Sequence, residues 1–201
     1  MDIITQKFNE WTAGKGPKEA RISVYEHIRD IPYAIIPELR DPVAGPPGLI
    51  EQGRGSCQPK HYLMAGLFGK LNIPVRFVTY VFRWGDSEIK YPADLKGLLS
   101  RMPVSYHLAC KANINNKWAL VDATYDLPLK KAGFPVNEKW DGESDTVNAV
   151  NSIQEIIHES AEDRLKFETE CRGRYTGDEK AAYAQFIDKL NGWLETLRRN
   201  K

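Results

Sequence analysis

The chain has 201 residues, of which 42% are hydrophobic and 27% charged, which is enough apolar sequence for one buried core. Its 28 basic and 27 acidic residues nearly cancel and form no basic run, which excludes nucleic acid and an anionic membrane surface as expected partners. The N-terminus lacks the basic start and apolar stretch of a signal peptide, and no window has the apolar length of a membrane span, so we expect a cytoplasmic protein.

The first predicted element is a helix over residues 19–31, because apolar side chains recur there every three positions. Residues 37–55 follow, and they are so rich in proline and glycine that they predict a long loop without regular structure. Loops of this length are usually functional or disordered.

A second predicted helix begins near Pro59 and ends at Asn72, with leucines four residues apart along one side. Asparagine tolerates the left-handed backbone that closes many helices, and Pro74 prevents the helix from continuing. Cys57 stands at the start of this helix, where Ser56 can act as the cap. The three cysteines are an odd number without disulfide-framework spacing, which favours reduced thiols.

Cys57 has two interpretations at this point. The free N–H groups at a helix N-terminus favour a thiolate and could also hold an oxyanion, which would suit a nucleophile. A free cysteine is also commonly a small buried hydrophobic side chain without reactivity. A thiolate enzyme additionally needs a base and an acid that orients that base, so the rest of the chain decides between the two.

Residues 75–82 predict a strand, and residues 104–114 and 117–124 predict a hairpin whose two-residue turn is an Asn-Asn pair. In the register that this turn sets, His107 and Asp122 lie on one face as diagonal neighbours, close enough for a hydrogen bond. Cys110, three residues from His107, falls on the opposite face, where core packing explains it.

Two helices are predicted over residues 150–171 and 178–199, the second preceded by a capping box of Thr176 and Glu179. The sequence contains no internal repeat and no low-complexity tract, so we expect these helices to dock on the same core. Residues 127–145 are expected to form a loop near the cleft.

The predicted organisation is therefore a single domain over residues 1–201. Its core covers about residues 19–126, and a C-terminal helical extension covers about residues 127–201.

Four short motifs follow one another in the chain: Gly55-Ser56-Cys57, Asn72-Ile73-Pro74-Val75-Arg76, Tyr106-His107 and Trp118-Ala119-Leu120-Val121-Asp122-Ala123-Thr124. In order and spacing they resemble the core of the transglutaminase-like superfamily, over residues 53–76 and 104–126 and the strand between them. Four positions depart from that pattern. Asn72 replaces a glycine, Ala123 stands where many relatives carry proline, and Lys60 and His61 stand where the family more often has small or apolar residues.

The resemblance implies an α+β, papain-like fold in which the cysteine helix packs on an antiparallel sheet. It implies that Cys57 is the nucleophile, His107 the general base and acid, and Asp122 the residue that fixes the imidazole tautomer. The implied activity is hydrolysis or acyl transfer at an amide, peptide or protein substrate through a thioester, without metal or cofactor. The side-chain donor of the oxyanion hole stays open among three candidates, Gln52, Trp11 and Tyr33.

Two alternatives remain. Some members of the superfamily have lost the triad, so a non-catalytic peptide- or protein-binding module is the second hypothesis. Cys57 and His61 also have the spacing of two metal ligands on a helix, but Cys110, His158 and Cys171 do not supply the second half of a zinc site. The alternative to a zinc site is that Lys60 and His61 give the cleft an unusually polar floor. The sequence does not determine the oligomeric state.

Overall fold

The structure is a computed structural model that describes residues 2–199, which form seven α-helices and four β-strands. The helices are α1 (Ile3–Thr12), α2 (Pro17–Asp30), α3 (Gly45–Gln52), α4 (Cys57–Lys70), α5 (Ala93–Leu99), α6 (Ala161–Gly173) and α7 (Gly177–Arg199). The strands are β1 (Val75–Phe82), β2 (Ser105–Ile114), β3 (Lys117–Val121) and β4 (Ser152–His158). Short 3-10 helices occupy Pro37–Arg40, Trp84–Asp86 and Leu127–Ala132.

The four strands form one antiparallel sheet in the order β3-β2-β1-β4. Asn115 and Asn116 both have positive φ, 52° and 64°, so the β2–β3 hairpin has the predicted two-residue turn. Its register places Cys110 opposite Val121, where β3 ends. The earlier part of β2, from Ser105 onward, therefore pairs with β1 alone and leaves its other edge open to the neighbouring helix.

Helix α4 packs against β2 and buries its leucines, as their spacing predicts, but its first two turns are buried on all sides, polar residues included. Its end is set by Asn72, which has a φ of 59° in the left-handed region. On the other face of the sheet, α7 buries Phe186, Leu190 and Leu194 against Val78 of β1. The predicted fold class is confirmed, since this is an α+β chain with the cysteine helix on an antiparallel sheet and added C-terminal helices.

The predicted loop over residues 37–55 is wrong in part, because it contains a 3-10 helix and α3. The prolines and glycines of this segment stand where a helix tolerates them. Pro46 lies in the first turn of α3, where its missing N–H costs nothing, and Gly53 ends the helix with a φ of 63°. Leu49 is fully buried and anchors the helix on the core. Helix α1 was not predicted at all.

The single helix predicted over residues 150–171 is wrong in its first half, which is strand β4. This segment carries three isoleucines, whose branched side chains suit a strand, and it pairs with β1 along the edge of the sheet. Helix α6 starts only after Ser160, whose hydroxyl accepts a hydrogen bond from the Asp163 N–H at 3.0 Å. Pairing with β1, which is distant in the chain, has thus outweighed the local helical pattern of apolar residues.

The predicted loop over residues 127–145 is wrong in part, because it contains the 3-10 helix Leu127–Ala132, which packs on α7, and its later residues lie along α2. Arg21 Nε donates to the Gly142 carbonyl at 2.6 Å, and Trp140 is buried in the core under α2. The chain returns to the sheet at Thr146, whose N–H donates to the Leu120 carbonyl of β3 at 3.0 Å. The capping box before α7 is confirmed. Within residues 2–199, none of the helices is both long and apolar enough to cross a bilayer.

Candidate active site

The structure brings together the three predicted site residues, each from a different element. Cys57 is the first residue of α4, His107 lies on β2, and Asp122 directly follows β3. All three are buried, with exposed fractions of 8%, 3% and 4%. His107 Nε2 and Asp122 Oδ2 are 2.8 Å apart, and the His107 ring is also hydrogen-bonded to the Cys57 thiol. Because Asp122 is bonded to Nε2 of His107, the other ring nitrogen, Nδ1, is the one left for the Cys57 thiol.

Asp122 is held by four donors. Its Oδ2 accepts from His107 and from the Ala149 N–H at 2.9 Å, and its Oδ1 accepts from the Thr124 N–H at 3.1 Å and hydroxyl at 2.6 Å. Burial raises the pKa of Asp122, but His107 and Thr124 outweigh it and hold that pKa well below its usual range. The side chain is therefore a fixed carboxylate over the physiological range.

Burial lowers the pKa of His107, but the charges of Asp122 and Cys57 and its hydrogen bonds to both raise that pKa to about 10. Burial raises the pKa of Cys57, while His107 and the Leu108 N–H lower it, and the balance lies below the ordinary thiol value. Both shifts favour a thiolate beside an imidazolium.

Leu108 supplies a backbone donor that the sequence analysis missed. Its N–H is available to Cys57 because β3 ends at Val121, opposite Cys110, and leaves this part of β2 without a partner on that edge. Ser56 occupies the N-cap position of α4, although its hydroxyl forms no capping hydrogen bond with the described part of the helix. Leu108 thus provides, beside the helix N-terminus, the hydrogen bond that stabilises the thiolate.

His61 lies behind the three residues and is fully buried. Its Nδ1 donates to the Cys57 carbonyl at 2.8 Å and its Nε2 accepts from the Ala123 N–H at 3.1 Å. Burial lowers the pKa of His61 to about 4, so the ring is neutral. Both ring nitrogens are occupied, and the described residues contain no cluster of side chains suited to a metal ion.

Lys60 is also fully buried behind the site. Its Nζ donates to the carbonyls of Arg29 at 3.0 Å and Thr124 at 2.8 Å, which ties α4 to α2 and to the segment after Asp122. Burial lowers the pKa of Lys60 to about 7. Lys60 and His61 therefore form a polar layer beneath the site. The predicted polar cleft floor is wrong, because neither residue lines the pocket.

A pocket of about 430 Å³, including its mouth, opens beside Cys57 and His107. Its lining combines aromatic and apolar side chains with two arginines. The lining includes Tyr33, Phe82, Trp84, Val150, Arg40 and Arg172. That volume includes open solvent at the mouth, and the enclosed part is only about 30 Å³, which is room for little more than one water molecule.

Of the three candidate oxyanion-hole donors, only Tyr33 lines this pocket. Trp11 stacks on His27 away from the site, and Gln52 is exposed at the end of α3. The backbone of Tyr33 is bridged to Gly55, two residues before the nucleophile candidate. Burial raises the pKa of the Tyr33 hydroxyl well above its usual value, so the group remains a hydrogen-bond donor.

Trp84 lines the pocket and is also part of the core. Its ring packs on Phe82 and Phe186. Its indole N–H, however, is buried and has no hydrogen-bond partner within the described part of the chain. A buried donor without a partner is costly. No sequence signal distinguishes this tryptophan from an ordinary core residue.

The chain is similar to the crystal structure of a "putative cysteine protease" from Cytophaga hutchinsonii. The similarity has 17% sequence identity and a TM-score of 0.42, and it covers 78% of this chain and 49% of that one. The chain thus spans about half the length of that protein. No family model and no curated protein matches the sequence. A likeness of this extent does not specify chemistry, which follows from the side chains of the pocket.

Proposed function

We propose that this protein is a cysteine-nucleophile hydrolase or acyltransferase that acts on amide or peptide carbonyls. The observation that supports the proposal is the buried line of Cys57, His107 and Asp122 at the wall of a pocket, with the thiol pKa lowered and the imidazole pKa raised. Strongly shifted, mutually coupled groups beside a pocket are typical of catalytic sites.

In the proposed reaction the Cys57 thiolate attacks the carbonyl carbon of the substrate and forms a tetrahedral oxyanion. The N–H groups at the start of α4 and the Tyr33 hydroxyl are the donors proposed to stabilise that charge. The carbon–nitrogen bond then breaks, and His107 gives its proton to the leaving amine. This step leaves an acyl thioester on Cys57.

In the second half of the reaction, water or an amine attacks the thioester. His107, now neutral, takes the proton of the attacking group, and the sulfur leaves as a thiolate, which restores the starting state. Asp122 remains a carboxylate throughout, orients the imidazole through Nε2 and stabilises its charged form. The same geometry serves hydrolysis and transfer, since only the second substrate differs.

The test is the alkylation rate of each cysteine by iodoacetamide between pH 6 and 9, measured by mass spectrometry. At pH 6.5 we expect Cys57 to react at least about tenfold faster than Cys171, whose thiol is partly exposed. Burial raises the pKa of Cys110 well above the usual thiol value, so it should react slowest. His107→Ala should bring the Cys57 rate down to that of Cys171.

A non-catalytic binding module would give a different pattern. Cys57 would then react no faster than Cys171, and His107→Ala would leave its rate unchanged. That outcome would contradict the proposed nucleophile.

A further inference from the structure

The end of the pocket nearest α6 carries an excess of positive charge. Glu168 accepts hydrogen bonds from Arg164 and from Arg172 Nε, the latter at 2.6 Å, and it is almost fully buried. Arg40 lies close enough to lower the pKa of Glu168 through its charge. Three guanidinium groups therefore surround one carboxylate, and two of them, Arg40 and Arg172, line the same pocket as Cys57.

Arg40 is the member of this group whose charge is left unbalanced. It ends the 3-10 helix Pro37–Arg40 and is half-buried, and its Nη2 lies 3.5 Å from the Tyr183 hydroxyl. Within residues 2–199 it forms no ion pair with a carboxylate, whereas Arg164 and Arg172 both pair with Glu168. A guanidinium group in a pocket without a counter-ion is suited to bind a planar anion from a ligand.

We propose that Arg40 binds a carboxylate of the substrate, so that the protein acts on amides or peptides that carry a carboxylate near the scissile bond. This inference rests on the proposed function, because it places the carboxylate in the pocket that Cys57 serves. The apolar lining residues Phe82, Trp84 and Val150 are left for the uncharged part of the substrate. Arg172 adds positive potential, although Glu168 already satisfies part of its guanidinium group.

The test uses two thiol reagents of similar size, iodoacetate, which carries a carboxylate, and neutral iodoacetamide. We expect Arg40→Gln to lower the alkylation rate of Cys57 by iodoacetate about fivefold and to change the iodoacetamide rate less than about twofold. Arg54→Gln is the matched control, because Arg54 is exposed and pairs with Glu195 outside the pocket. It should change neither rate.

A second variant separates charge from structure. Arg40→Lys keeps the positive charge and should keep the ratio of the iodoacetate rate to the iodoacetamide rate within about twofold of the wild-type ratio. In the wild-type protein, about 0.5 M NaCl should reduce that ratio, because Arg40 is only half-buried and its charge is screened by salt.

The outcomes distinguish this inference from the proposed function. Cys57 could react with iodoacetamide faster than Cys171 while the ratio of the iodoacetate rate to the iodoacetamide rate is the same in Arg40→Gln as in the wild type. In that case only the carboxylate site is wrong. A parallel fall in both rates would show that Arg40 merely supports the fold, which also overturns the inference. If neither reagent reacts faster with Cys57 than with Cys171, the proposed function fails and the carboxylate site with it.

Discussion

Two buried carboxylates, Asp122 and Glu168, lie beside residues of the candidate site and have different partners. The pKa of each is lowered from its usual value, that of Glu168 to about 2, although burial alone would raise it. Asp122 faces the imidazole of His107, whereas Glu168 faces the guanidinium groups of Arg164 and Arg172. An imidazole exchanges its proton near neutral pH, but a guanidinium group does not.

The two clusters therefore have different roles. The Asp122–His107 pair can move a proton, whereas the Glu168 cluster only holds charges in place. The Glu168 cluster connects three parts of the fold. Gln58 Nε2 on α4 donates to Glu168, and Arg164 Nη2 reaches the Tyr106 carbonyl on β2 at 3.2 Å. It therefore holds α6 against the helix and the strand that carry Cys57 and His107. We expect its loss to reduce stability, and loss of the Asp122 interactions to reduce reactivity.

The largest expected effect is that of Glu168→Gln on stability. The substitution leaves the buried Arg164 and the half-buried Arg172 without a counter-charge, which should lower the free energy of unfolding by about 3–5 kcal/mol in denaturant titrations. Glu195→Gln is the control, because this residue is exposed and its ion pair with Arg54 should contribute less than about 1 kcal/mol. In the folded variant, the alkylation rate of Cys57 should change less than about threefold. A tenfold fall would show that the two clusters act as one.

Lys60 extends the comparison to a buried cation that can lose its proton. The pKa of Lys60 is about 7 in the folded protein, against an ordinary value of 10.5. Between pH 7 and 10.5 the unfolded chain therefore binds more protons than the folded one. The contribution of Lys60 to stability therefore rises with pH over this window, by at most about 1.4 kcal/mol per pH unit. Relative to Lys60→Met, the wild-type protein should gain stability from pH 7 to 9.

The matched control is Lys70→Met on the same helix, where the side chain is exposed and reaches the Thr5 hydroxyl. Its stability difference from the wild type should be the same at pH 7 and pH 9. Equal slopes for the two variants would show that Lys60 keeps an ordinary pKa.

Asp122→Asn should act mainly on reactivity. Without the carboxylate the pKa of His107 falls and that of Cys57 rises, so the alkylation rate of Cys57 at pH 6.5 should drop about tenfold or more. The free energy of unfolding should fall by only about 1–2 kcal/mol, because asparagine keeps the size of the side chain. Complete unfolding with an unchanged rate per folded molecule would identify Asp122 as purely structural.

The same variant has a defined pH signature. The folded pKa of His107 is about 10 against the ordinary 6.5, so its interactions stabilise the protein fully below pH 6.5 and are lost as the pH rises through 10. Asp122→Asn should therefore flatten this decrease in the free energy of unfolding between pH 7 and 10.

The smallest expected effect is that of Tyr62→Phe, next to the Glu168 cluster. The Tyr62 hydroxyl is buried and has no hydrogen-bond partner among the described residues, so its removal should leave stability unchanged or raise it by up to about 1 kcal/mol. Tyr25→Phe is the matched control, because the Tyr25 hydroxyl donates to the Asp122 carbonyl at 3.3 Å. That variant should lose about 0.5–1.5 kcal/mol in the same denaturant titration.

Sequence patterns of short range determined much of the candidate site. The backbone freedom of Asn115 and Asn116 selects a two-residue turn, and that turn alone places His107 and Asp122 on one face of the hairpin. In the same way Asn72 ends the cysteine helix through its own φ angle. These features were predictable because each depends on residues adjacent in the chain.

Only the tertiary structure decided which distant groups complete the site. The Ala149 N–H reaches Asp122 across 27 positions, and Arg40 enters the pocket from a segment predicted to be an irregular loop. Strand β4 forms because the edge of β1 offers hydrogen bonds that a local helical pattern cannot match. Such contacts depend on the packing of the whole chain, which neither periodicity nor turn chemistry encodes.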